Sequence, residues 1–209
     1  MQLYYHPISP YARKVLFAAY EKDVSFESVI VPPADWQRQA AAMRNVFPLG
    51  MTPTLVADDG TVIPESSIII EHFDLKCAGP RFVPPDAGLA LPVRMYDRLI
   101  DAYLIAPAGQ LVFEARKPAA AQSASKRDAL QTRVRTTLEF LERRLSSSPF
   151  LNGELPLLSD LAGCAGLAIL DQLQFPVGDF SRVRGWYSAL ASRSSWQRIL
   201  EQTRSLPNA

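Results

Sequence analysis

Three short stretches of this chain carry residues whose types and spacing suit a ligand. Ser9 stands directly before Pro10, Thr52 directly before Pro53, and Glu65-Ser66-Ser67 between Pro64 and the run Ile68-Ile69-Ile70. Proline at the first helical position loses no hydrogen bond, so Ser9 reads as a natural N-cap whose oxygen faces the unpaired first-turn N–H groups. Pro53 opens a strand at a point where a ladder wants a donor. An X-Pro bond is only about 0.5–1 kcal/mol less stable in cis, and a cis Thr52–Pro53 bond would offer the Thr52 amide and carbonyl to an extended peptide. Ser66 and the amides of a new helix suit a carboxylate, while the Glu65 carboxylate suits an ammonium. An amino-acid head group carries both charges on one carbon. Taken singly, a proline-rich turn and ordinary helix caps explain the same residues.

These residues need elements to hold them. Residues 2–5 read as a short strand. A turn at 6–10 leads into a helix over 11–20, where Val15, Leu16 and Ala19 recur at helical spacing. A second strand is expected over 25–31, ended by Pro32-Pro33, and a polar helix over 35–44. Residues 54–57 and 61–63 read as a hairpin around Asp59-Gly60, with the type I′ turn that this dipeptide favours. Glu65-Ser66-Ser67 then caps a helix running to about Cys77. The βαβα-ββα order gives a parallel crossover followed by a hairpin, hence a small mixed sheet with helices on its faces.

Gly79, Pro80, Pro84, Pro85 and Gly88 mark 78–91 as a linker. Beyond it the chain reads as helix: 92–117, kinked at Pro107; 125–147, with Leu130, Val134, Leu138, Leu141 and Leu145 as a stripe; 157–173, apolar on all sides and rich in Ala and Gly; then 180–192 and 195–203. The expected division is 1–79, a linker at 80–90, and an all-helical 91–209.

Composition excludes several classes. Of 209 residues, 48% are hydrophobic and 21% charged, and the net charge is +1, so neither nucleic acid nor an acidic surface is favoured as a partner. No apolar run is long enough to span a membrane, and MQLYYHPISP lacks the basic start and apolar middle of a signal peptide. Cys77 and Cys164 are expected as thiols in a reducing cytoplasm. No CxxC occurs, and His6 and His72 are not spaced as metal ligands.

The ordered motifs resemble those of the cytosolic glutathione transferases. Ser9-Pro-Tyr-Ala-Arg-Lys-Val15 resembles the bacterial SPYxRKV segment, Pro48-Leu-Gly-Met-Thr-Pro53 the PxGxxP with its cis proline, and Pro64-Glu-Ser-Ser-Ile68 the glutamyl-binding turn. Phe150-Leu-Asn-Gly153 and Ser159-Asp-Leu-Ala162 resemble the entry to the family's central buried helix; Trp186-Tyr187, Arg193 and Trp196 resemble its C-terminal end. Where the family caps the central helix with Ser or Thr, this chain has Leu157, leaving Ser159 as the expected cap. Asp179-Phe-Ser181 replaces a frequent Asp-x-Pro.

The resemblance implies an α/β thioredoxin-like domain with a mixed four-stranded sheet, an all-α C-terminal domain, and glutathione as co-substrate without a metal. Glu65 and Ser66 would hold the glutamyl end, Thr52 beside Pro53 the cysteinyl main chain, and Gln37 or Arg38 the glycyl carboxylate. Ser9 would donate to the sulfur, with Tyr4, Tyr5 and Tyr11 as alternatives, while Arg13 reads as a surface or domain-contact residue. A small, hydrophobic electrophile would meet Tyr11, Tyr103, Pro107 and Phe113 between the domains. A cytoplasmic homodimer is expected, in which Asp97 or Asp101 reaches the neighbouring subunit's ligand. A glutathione-dependent disulfide reductase and a non-catalytic glutathione-binding protein are the alternatives.

Overall fold

The computed structural model describes residues 1–31 and 36–204, apart from the side chains of 36–39. Two units divide the chain. Met1–Phe82 form the first together with the described residues from Ser194 onward, and Val83–Arg193 form the second.

In the first unit the elements are β1 (Gln2–Tyr5), α1 (Pro10–Glu21), β2 (Glu27–Ile30), α2 (Trp36–Arg44), β3 (Thr54–Val56), β4 (Val62–Pro64) and α3 (Ser66–Lys76). The sheet order is β2-β1-β3-β4, with β1 and β2 parallel and the other pairs antiparallel. This is the mixed four-stranded sheet the element order required. Leu3 and Leu55 are fully buried and stand opposite one another across β1 and β3.

The hairpin turn differs from expectation. Gly60 has φ +82°, but Asp59 is not in the positive-φ region, so a type I′ turn is not formed. Gly60 N donates to Ala57 O at 2.9 Å, and Ala57 N to Thr61 O at 2.9 Å. The pattern is a three-residue loop, a type I turn closed by a left-handed glycine. The Asp59 carboxylate accepts from Thr61 N at 2.9 Å, which holds its pKa below the ordinary value.

Helix α1 is buried on nearly every side, from Ala12 through Ala19 with the exception of Arg13. Helix α9 (Ser194–Arg204) packs on it: the fully buried Trp196 ring lies 5.3 Å from Phe17, Tyr20 donates to Gln202 at 2.7 Å, and Ser195 bonds Glu21. Helix α3 packs on the same helix. The buried Lys22 donates to Asp74 at 3.1 Å and to Pro80 O at 2.7 Å, and Asp74 also accepts from Phe82 N at 2.9 Å.

The second unit is helical: α4 (Ala87–Ile100), a π-helical turn (Asp101–Ile105), α5 (Ala106–Ala115), a 3₁₀ turn (Ala119–Ala121), α6 (Ala124–Arg144), α7 (Leu158–Gln172) and α8 (Ser181–Ala191). Helix α4 begins before the expected residue 92, because Asp86 caps it by accepting from Leu89 N at 2.9 Å. Pro92 therefore lies inside the helix. The disturbance expected at Pro107 begins upstream as the π turn. Pro107 has no N–H for the Tyr103 carbonyl four residues back, and the Thr137 hydroxyl stands 3.0 Å from that oxygen. Helix α7 is buried from Leu158 through Leu170, the central helix its small residues implied. A Cβ on Gly163 would fall 2.0 Å from the Trp186 ring. No helix among the described residues is long and apolar enough to cross a membrane.

Candidate functional site

Strand register brings the three stretches together. Tyr4 pairs with Thr54, and Thr54 with Pro64. Immediately beyond these pairs come the turn 6–9, then Thr52–Pro53, then Glu65–Ser66, all at one end of the sheet in the first unit. A hairpin slipped by one residue would carry Glu65 to the other face.

Ser9 is the N-cap of α1, with φ −65° and ψ 127°, and its hydroxyl oxygen accepts from Ala12 N at 3.4 Å. Its own amide donates to His6 O at 2.9 Å. The Arg13 Nε, one turn into the helix, donates to Pro7 O at 3.2 Å and so braces the turn that carries Ser9. Of the tyrosine alternatives, Tyr5 is buried and its hydroxyl lies 3.4 Å from Ser28 Oγ, while Tyr4 donates to Gln2 at 3.2 Å. Tyr11 is half-buried on the first turn of α1.

The Thr52–Pro53 peptide bond is cis. Thr52 is half-buried, Pro53 is buried, and Thr54 Oγ1 donates to Met51 O at 2.8 Å. Glu65 is the N-cap of α3 with φ 70° and ψ 118°, a region that side-chain-bearing residues rarely adopt. Such a conformation costs on the order of 1–3 kcal/mol and collects at ligand clamps. The expectation that this segment caps α3 through a side chain is corrected: Glu65 makes no side-chain cap. Ser66 is buried and starts the helix. At the second helical position, Ser67 Oγ receives the Lys14 ammonium at 2.9 Å from α1.

Gln37 and Arg38, expected at the glycyl carboxylate, fall on α2, and their side chains lie outside the described residues. In the second unit, Tyr103 (45% exposed) and Phe113 (69% exposed) present aromatic surface, whereas Pro107 is buried in the first turn of α5. The Arg133 guanidinium stacks over Tyr103 at 4.8 Å. Asp97 is buried on α4 and Asp101 is half-buried in the π turn.

The Ser159 cap is also corrected. Leu157 occupies the cap position of α7; Ser159 lies inside the helix and accepts from Asn152 Nδ2 at 2.8 Å. The Asp160 carboxylate gathers Leu157 N at 2.8 Å, Leu151 N at 2.9 Å and Trp186 Nε1 at 2.9 Å. Burial pushes this carboxyl up to about 6, against the opposing pull of its three donors.

Sequence reasoning passed over Lys14. A charged residue among Val15, Leu16 and Phe17 reads as the polar side of an amphipathic helix, yet it is fully buried. No spacing in the sequence marked it, because the run Val15-Leu16-Phe17-Ala18-Ala19 leaves this helix no wholly polar side.

A mixed four-stranded sheet that gathers a capping serine, a cis proline and a Glu-Ser helix start at one end is a thioredoxin-like unit, here accompanied by a helical unit. Residues 3–81 match the Glutathione S-transferase, N-terminal domain. The chain is 30% identical over 158 residues to the uncharacterized GST-like protein YibF of Escherichia coli, covering 75% of this chain and 76% of that one. A glutathione S-transferase structure from Methylobacillus flagellatus with GSH bound is similar with a TM-score of 0.84 and 26% identity, over 95% of this chain and 98% of that one. One from Methylobacterium radiotolerans in complex with glutathione sulfonate is similar with a TM-score of 0.82 and 26% identity, over 95% and 93%. The chain belongs to the glutathione S-transferase family.

Proposed function

We propose that this chain is a glutathione transferase: it binds glutathione in the first unit and activates its thiol for attack on a small, hydrophobic electrophile. The observation that carries this reading is the convergence of Ser9, Thr52–Pro53 and Glu65–Ser66 at one end of the sheet. The glutathione and glutathione sulfonate bound by two structural relatives support it.

Each group has a part matched to its chemistry. Glu65 takes the glutamyl ammonium, and the Ser66 hydroxyl and first-turn amides of α3 take the carboxylate. The main chain of Thr52 pairs with the cysteinyl unit as an added strand would. Gln37 or Arg38 takes the glycyl carboxylate. The sulfur then lies beside Ser9. That oxygen accepts from Ala12 N, so the hydroxyl's own hydrogen is the donor to sulfur.

A free thiol has a pKa of about 8.5. Lowering it by about two units takes roughly 2.7 kcal/mol, within the reach of one charge-assisted hydrogen bond and a helix N-terminus. The thiol proton leaves to solvent and the thiolate attacks the electrophilic carbon. A C–S bond forms, and a leaving group such as halide departs with its bonding electrons. Ser9 donates throughout and forms no covalent bond. Tyr103 and Phe113 are the aromatic surface assigned to the electrophile. A homodimer belongs to the same reading; light scattering at micromolar concentration checks it, and a monomer there removes any role for Asp97 or Asp101 across an interface.

Conjugation of glutathione to a chloronitroaromatic, run beside reduction of a hydroxyethyl mixed disulfide, tests the activity. Turnover of the first is expected. Turnover of the disulfide alone would assign a reductase instead, and glutathione binding with neither turnover would assign a binding protein.

A further inference from the structure

Between the start of α4, the end of α6 and the loop that precedes α7 lies a cavity of about 350 Å³. All its lining residues belong to the second unit, whereas the residues assigned to glutathione belong to the first. Pro84, Leu89 and Pro92 form apolar walls, and Tyr96, Arg144 and Asn152 bring polar groups to it. Ligand pockets run from roughly 300 to 1,000 Å³, so this one is sized for a molecule of one or two rings.

The polar residues are held in place and keep hydrogen-bonding functions in reserve. The Arg144 guanidinium lies 5.6 Å from the centre of the Tyr96 ring and donates one N–H to Ser147 Oγ at 3.3 Å. No carboxylate among the described residues pairs with it, in contrast to Arg135, paired with Asp179, and Arg182, paired with Glu142. A guanidinium has several N–H donors in a planar fork, so most remain for an arriving anion. The Tyr96 ring is in turn packed 6.0 Å from Phe140. Asn152 donates to Ser159 Oγ at 2.8 Å, which leaves its Oδ1 as an acceptor with no partner among the described residues. Its loop is fixed by the bond from Leu151 N to the Asp160 carboxylate at 2.9 Å and by the Phe150–Gly153 bridge. Groups so fixed lose little freedom when a ligand arrives.

We propose that this cavity binds a small aromatic carboxylate. The carboxylate accepts from the Arg144 fork, whose planar geometry matches its two oxygens. The ring packs against Tyr96 and the two prolines, where flat apolar surface suits a flat apolar ligand. The Asn152 oxygen accepts from a hydroxyl where the ring carries one. Charge decides the class: a neutral ring of the same shape gains the apolar contact and forgoes the ion pair, while an amine meets a like charge.

Calorimetry on the full chain with β-naphthoate and its neutral counterpart β-naphthamide tests the assignment. Wild type is expected to bind naphthoate with a Kd below about 1 mM, and at least about tenfold more tightly than naphthamide. Arg144→Gln keeps a polar side chain and removes the charge. It should abolish that preference and change naphthamide affinity by no more than about twofold. Leu89 is 64% exposed, so Leu89→Trp fills the space without disturbing the core, and it should weaken both ligands at least about tenfold. Saturating S-methylglutathione should leave naphthoate affinity unchanged. Absence of naphthoate binding by wild type, equal affinity for acid and amide, or naphthoate binding that survives both variants overturns the proposal. So does displacement of naphthoate by S-methylglutathione. A dimer that Leu89→Trp splits, with naphthoate left unbound by wild type, assigns the cavity to a second copy of the chain instead.

Discussion

Asp160 is the side chain whose replacement should be felt most strongly in the second unit. It is fully buried and accepts from Leu151 N, Leu157 N and Trp186 Nε1, tying the 150s loop, the start of α7 and α8 to one carboxylate. Asp160→Ala leaves three buried donors unpaired, at about 1–3 kcal/mol each, against a total stability of about 5–15 kcal/mol. That variant is expected to be largely unfolded. Asp160→Asn keeps one oxygen but turns an amide nitrogen toward a donor, and should cost about 1–3 kcal/mol. Burial places the folded-state pKa at about 6, above the unfolded value of about 3.9. The folded chain therefore binds this proton more tightly. The group's contribution to stability is fully present below about pH 4 and is lost as pH rises through about 6, an effect on the order of 3 kcal/mol. Urea unfolding followed by tryptophan fluorescence measures it. The stability of wild type relative to Asp160→Asn should fall by about that amount from about pH 4 to pH 7, enough to cancel or reverse the advantage it holds at pH 4. A difference constant across that range would refute the reasoning.

Other outcomes rest on single contacts. Trp196→Ala opens a cavity against Phe17 and should cost about 3–5 kcal/mol, read as a fall in melting temperature. Gly163→Ala must displace the Trp186 ring and should cost more than about 1 kcal/mol. Gly185→Ala, with open space around its Cβ position on α8, should instead stabilise by up to about 1 kcal/mol in the same unfolding experiment. Lys22→Met leaves the Asp74 carboxylate buried without its ammonium and should cost about 3–5 kcal/mol; adding Asp74→Asn should recover part of it, which a double-mutant cycle measures.

Much of the fold was legible because the local signals agreed with the tertiary outcome. Asp59-Gly60 closed the hairpin, Pro10 and Ser9 opened α1, and the Leu130 stripe marked the buried side of α6. The turn type was missed because Asp-Gly suits both a type I′ turn and a type I turn closed by a left-handed glycine, and only the backbone angles separate them. The start of α4 was hidden because Pro84, Pro85 and Gly88 look like a linker, although Asp86 among them is a good cap. Lys14 was illegible as a buried charge, since α1 is covered on more than one face and its pattern no longer distinguishes inside from outside. The site was legible as three clusters; that they meet is a property of strand register, which pairs Tyr4 with Thr54 and Thr54 with Pro64.

The ionisation of the bound thiol is the decisive measurement. Ultraviolet titration of glutathione on the protein should place its thiolate transition about two units below the free value of about 8.5, and Ser9→Ala should return it most of the way while binding persists. A bound thiol that titrates like free glutathione, or one that Ser9→Ala leaves unmoved, would contradict thiol activation by Ser9.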